Sequence, residues 1–98
     1  MSRQVVYTRR AQSQLAGIER YITRRGSPAN AKRFVEAIVN KCAGLADASW
    51  QGTKHDELLP SLRTTGFRNR TTIAFRVTSD RVFILSILYG GRDIESNL

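Results

Sequence analysis

The sequence predicts an α+β fold in the order β-α-α-β-β-β, with a two-helix hairpin packed on an antiparallel-rich sheet. Three observations carry this expectation. Two stretches within residues 9–47 repeat apolar side chains at helical spacing. Residues 71–78 alternate apolar and polar, as a half-buried strand does, and residues 81–89 are apolar on both faces, as a covered strand is. The links between these stretches are short, so neighbouring elements pack on one another. At 98 residues the chain fits one domain spanning 1–98, long enough to bury a core without disulfide or metal staples.

Each element has its own warrant. Residues 3–8 form a short strand around Val5, Val6 and Tyr7. Thr8 caps a first helix in which Ala11, Leu15, Ile18 and Ile22 share one face. Gly17 weakens that helix by about 1 kcal/mol relative to alanine, or lets another backbone come close. Arg24-Arg25-Gly26 ends it, with Gly26 suited to a left-handed position after the last turn. Ser27 caps the second helix and Pro28 occupies its first position, where no hydrogen bond is lost. Ala31, Phe34, Val35, Ile38, Cys42 and Leu45 line its buried side. Residues 48–61 show no period and read as a loop containing Trp50 and His55. Leu62 to Phe67 forms a strand, Arg68-Asn69-Arg70 a turn, and Ser79-Asp80 the hairpin connection into a central final strand that Gly90-Gly91 stops.

The chain carries 16 basic and 8 acidic side chains, and residues 1–41 alone hold a net charge of +7. Thirteen of the cations are arginines, the residue whose forked donors match carboxylates and phosphates. An acidic partner is therefore expected, either a protein segment or nucleic acid. No apolar run is long enough to span a membrane, and residues 1–10 lack the apolar core of a secretory signal. One cysteine and one histidine build neither an internal disulfide nor a His/Cys metal site, so no metal and no cofactor are expected.

The pieces Ala11-x-x-x-Leu15 with Tyr21-Ile22, Ala31-x-x-Phe34-x-x-x-Ile38, Glu57-Leu58-x-Pro60-x-Leu62-Arg63, Ile73-Ala74-Phe75-Arg76-Val77 and Ile87-Leu88-Tyr89-Gly90-Gly91-Arg92-Asp93 together resemble the ParE branch of the RelE/ParE toxin superfamily. Their order and spacing cover nearly the whole chain. Tyr89 departs from the pattern, since a histidine is common there in the branch. The resemblance implies the toxin of a bacterial type II toxin–antitoxin system, acting in the cytoplasm, causing growth arrest and stabilising plasmids. It implies a cognate ParD-like antitoxin, DNA gyrase as target, and contact with operator DNA only through the antitoxin complex.

An alternative is a ribosome-dependent mRNA endoribonuclease of the RelE type. Metal-free RNA cleavage needs a base, an acid and cations around the phosphate. Cations abound, whereas proton-transfer groups reduce to His55, read as a solvated loop residue, and Tyr89, whose ordinary pKa near 10 suits a base poorly. No catalytic residue is assigned. Arg63, Arg70, Arg76, Tyr89 and Arg92 are the candidates for target binding, and the curvature of the sheet decides how near Arg92 comes to Arg76 and so whether Arg70, Arg76 and Arg92 form a patch. Arg10, Tyr21, Arg33, Phe34 and Trp50 are the candidates for antitoxin binding on the hairpin, Trp50 either as a partner anchor or as a lid over the core.

Overall fold

The computed structural model describes residues 3–47, 52–68 and 71–90. Its elements are β1 Gln4–Tyr7, α1 Arg9–Arg25, α2 Pro28–Gly44, β2 Thr53–Lys54, β3 Leu62–Phe67, β4 Thr71–Val77 and β5 Arg81–Leu88. The strands join in one mixed sheet of order β1-β5-β4-β3-β2. β1 runs parallel to β5, and the other neighbours are antiparallel. β5 therefore lies between two strands, in the central position expected of it, while the helices cover one of its faces and Phe83 and Leu85 remain half-buried.

Local chemistry sets the helix boundaries. The Thr8 hydroxyl oxygen accepts from the Ala11 N–H at 3.1 Å, and that of Ser27 accepts from the Asn30 N–H at 3.1 Å. Two orphan donors are thereby satisfied at the helix starts. Only Gly26 and Ser27 separate the helices, which pack on each other. The expected left-handed conformation at Gly26 is not found. It sits at φ −144°, ψ −106°, and its N–H closes the helix on the Ile22 carbonyl at 2.9 Å.

The core fills the space between the hairpin and one face of the sheet. Ala11 and Ile18 of α1 and Ile38 and Cys42 of α2 meet Ile73 and Phe75 of β4 and Val82, Ile84 and Ile87 of β5. Strict alternation would set Ile84 and Ile87 on opposite faces. Instead Ala74 pairs with Ser86 while the next residue, Phe75, pairs with Ile84, so Leu85 is an extra residue in β5. This bulge returns Ile87 to the core face. α1 is stitched to the bulged strand beyond the end of β1. The Thr8 hydroxyl donates to the Leu85 carbonyl at 3.0 Å, and the Gln14 side-chain oxygen accepts from the Ile87 N–H at 2.7 Å.

A second correction concerns residues 48–61. Within that expected loop, Thr53 and Lys54 pair with Thr64 and Arg63 to add an edge strand. Two exposed residues carry no readable period. What fixes the strand is contact: Gly52 lies so close to β3 that a Cβ there would stand 2.3 Å from the Thr64 carbonyl oxygen, and its φ of +90° suits glycine alone. His55 is also not a solvated residue. It is half-buried, with Nε2 2.9 Å from Thr64 Oγ1 and Nδ1 3.3 Å from Glu57 Oε1, which holds the turn that follows β2 against β3.

Candidate interaction site around Tyr89

Four aromatic rings from four places in the chain form a row above the core. Tyr21 of α1 meets Tyr89, just past β5, edge to face at 5.7 Å. Tyr89 meets Phe34 of α2 at 5.6 Å, again edge to face, and Phe34 meets Phe67 at the end of β3 at 6.1 Å. Such pairs contribute about 0.5–1.5 kcal/mol each beyond their buried area. Arginines close both ends of the row, Arg25 over Tyr21 at 4.7 Å and Arg68 over Phe67 at 5.0 Å. Tyr21 keeps 44% of its surface in solvent, an unusual exposure for a large aromatic side chain.

Tyr89 separates two grooves. The first, about 800 Å³, runs along α1 and is lined by Arg10, Ser13, Gln14, Gly17, Ile18, Arg20, Tyr21, Arg24, Ile87, Tyr89 and Gly90. Ile18 and Ile87 give it an apolar floor, and among the described residues three guanidinium groups and no carboxylate line it. Gly17 lies in its middle. Among the described residues a Cβ there would have only Arg20 Nη2 near it, at 3.9 Å, and no second backbone. The second groove, about 560 Å³, lies along α2 between Arg33, Phe34, Glu36 and Arg68, with Tyr89 as its shared wall.

The sequence-derived candidates distribute unevenly over this geometry. Arg10 and Tyr21 line the first groove, Arg33 and Phe34 the second, and Tyr89 both. The division into a hairpin surface and a separate sheet surface thus breaks down at Tyr89, which contacts both helices. Of the candidate arginines on the sheet and its borders, Arg63 and Arg76 lie among the described residues, and they do not share a face. Arg76 pairs with Leu62 and Arg63 with Phe75, so the two leave opposite faces of the sheet. Arg63 lines a smaller hollow of about 260 Å³ with Lys54 and Asp56, while Arg76 is exposed. Trp50, Arg70 and Arg92 lie outside the described residues. Sequence reading missed Arg20 and Arg24 as groove residues, although their i, i+4 spacing, with Gly17 one turn earlier, places all three on one face of α1.

His55, the described imidazole, lines neither groove. Burial raises the Tyr7 phenol and the Cys42 thiol above their ordinary values, so both are protonated at neutral pH. Among the described residues no group of three His, Cys, Asp or Glu side chains could hold a metal ion. No helix of the described residues is long and apolar enough to cross a membrane.

A family profile described as the ParE toxin of the type II toxin–antitoxin system, parDE, matches residues 5–94. Among solved structures, the chain is similar to a chain of the chromosomal ParDE TA system from P. aeruginosa, with a TM-score of 0.76 and 26% identity over 88% of this chain and 94% of that one. No curated protein matches the chain.

Proposed function

The chain belongs to the ParE toxin family of type II toxin–antitoxin systems, and we propose that it acts by binding DNA gyrase and is neutralised by a cognate ParD-like antitoxin seated in the groove along α1. The observation that carries the second half is the groove itself: among the described residues, three guanidinium groups and no carboxylate line an apolar floor. That surface complements an amphipathic segment with acidic side chains on its outer edge. Tyr21 supplies a rigid, half-exposed ring of the kind that anchors interfaces. Contact with operator DNA then comes through the antitoxin complex, and the place of action is the bacterial cytoplasm.

The gyrase half of the proposal rests on family membership. Target contact is assigned to the arginines of the sheet and its borders, Arg63, Arg70, Arg76 and Arg92, together with Tyr89. Supercoiling and cleavage assays with purified gyrase test it, run beside an mRNA-cleavage assay on translating ribosomes. Gyrase inhibition that the antitoxin reverses is the expected result. Codon-dependent cleavage of ribosome-bound message with gyrase unaffected would replace the proposal with the endoribonuclease reading.

A further inference from the structure

The groove along α2 has a different chemistry from its neighbour. Its lining mixes the aliphatic side chains of Ile22 and Ala37 with two aromatic rings, two guanidinium groups and amide side chains. Phe34 and Tyr89 meet edge to face at 5.6 Å, so the two rings present differently oriented surfaces to the same space. The Arg68 guanidinium lies over the Phe67 ring, 5.0 Å from its centroid, which places a cation at the groove. On α2 the Arg33 guanidinium donates to the Asn30 side-chain oxygen one turn earlier, which sets the cation at the groove and leaves the Asn30 amide nitrogen to donate. Glu36 adds a single carboxylate to the lining.

We infer that this groove binds a segment of single-stranded nucleic acid, with a base stacked on Tyr89, the edge-on Phe34 ring beside it, and the flanking phosphates on Arg33 and Arg68. Sequence-tolerant strand binding combines the same two parts, aromatic platforms for bases and cations that track the backbone. The volume of about 560 Å³ falls within the range of small-ligand sites, of order 300–1,000 Å³. The Asn30 amide and the Glu36 carboxylate can meet base edges, which carry both acceptors and exocyclic amines. An acidic peptide of aliphatic and carboxylate side chains fits less well, because it brings no planar group to stack on the rings that line the groove. The site shares Tyr89 with the surface assigned to gyrase, but its test contains no gyrase, so its failure and the failure of the gyrase reading are distinguishable.

The test is fluorescence anisotropy with a labelled thymidine hexanucleotide and an abasic hexamer of the same phosphate count, at a salt concentration where the Debye length is about 8 Å. One stacked base contributes about 1–3 kcal/mol, so the hexanucleotide should bind about 5- to 150-fold tighter than the abasic strand. Tyr89→Leu should erase that preference while leaving the salt dependence, and Arg68→Ala should weaken both ligands. Titration of the wild-type protein, followed by amide NMR shifts, gives a readout that needs no variant: shifts should centre on Asn30, Phe34 and Arg68. Equal affinity for the two hexamers, shifts confined to the α1 groove, or displacement of the hexanucleotide by an acidic peptide of equal charge would each overturn the inference.

Discussion

Thr71 begins β4 at 1% exposure, and its hydroxyl meets no hydrogen-bond partner among the described residues. An unsatisfied buried hydroxyl costs about 1–3 kcal/mol, and valine has nearly the same shape. Thr71→Val should therefore stabilise the protein by about 1 kcal/mol, read as a higher urea midpoint at unchanged slope. Cys42, fully buried against Tyr7, should resist alkylation by iodoacetamide in native buffer and react promptly in urea. The same pair predicts a pH dependence. Burial raises the folded-state values of both groups above the unfolded ones, so the folded protein holds these protons more tightly. Their contribution is complete below the unfolded cysteine value of about 8.5 and is lost as pH rises through and beyond it. The urea midpoint should fall above that pH, and Cys42→Ala should flatten the fall even though it lowers the neutral baseline.

At the scale of elements, α1 is where stability and binding should separate. Gly17 lies in mid-helix, and among the described residues a Cβ there would meet only the flexible end of the Arg20 side chain at 3.9 Å. Gly17→Leu should raise helix stability by about 1 kcal/mol and at the same time fill the groove. A higher Tm with antitoxin affinity reduced more than tenfold is the expected pair of results, by thermal unfolding and calorimetry. Wild-type affinity in that variant would remove the groove from the antitoxin interface. The helices themselves were legible in the sequence because their signals are local: the Thr8 and Ser27 caps, Pro28, and apolar residues at helical spacing. β5 was legible as a covered strand, yet its faces were not, because a period of two assigns Ile87 to the side of Phe83 and only the bulge at Leu85 turns it inward. β2 was illegible, since a close approach of Gly52 to Thr64 makes it and no pattern precedes it. The aromatic row has the same character. Tyr21, Phe34 and Tyr89 each stand out in sequence, but their meeting depends on how the hairpin lies on the sheet.

Over the whole molecule the charge is polarised. The net charge is +8, of which residues 1–41 carry +7, and that stretch contains β1, α1 and most of α2. The α1 groove therefore sits in the most positive part of the chain, with Arg10, Arg20 and Arg24 around it. Packing alone does not call for cations at this density, since like charges within a Debye length of about 8 Å repel. Such a surface draws an acidic partner in from a distance and raises its association rate, which then falls steeply with ionic strength. Desolvated contacts on Ile18, Ile87 and Tyr21 act after docking and set the dissociation rate instead. Raising salt from about 50 to 500 mM shortens the Debye length roughly threefold and should slow antitoxin association at least tenfold, with a much smaller change in dissociation. Arg20→Gln with Arg24→Gln should flatten the salt dependence of association, and Ile18→Ala should leave it intact while speeding dissociation. Stopped-flow measurement of both rates across that range checks the assignment. A salt-insensitive association rate, or identical kinetics in the two variants, would place the antitoxin on another face.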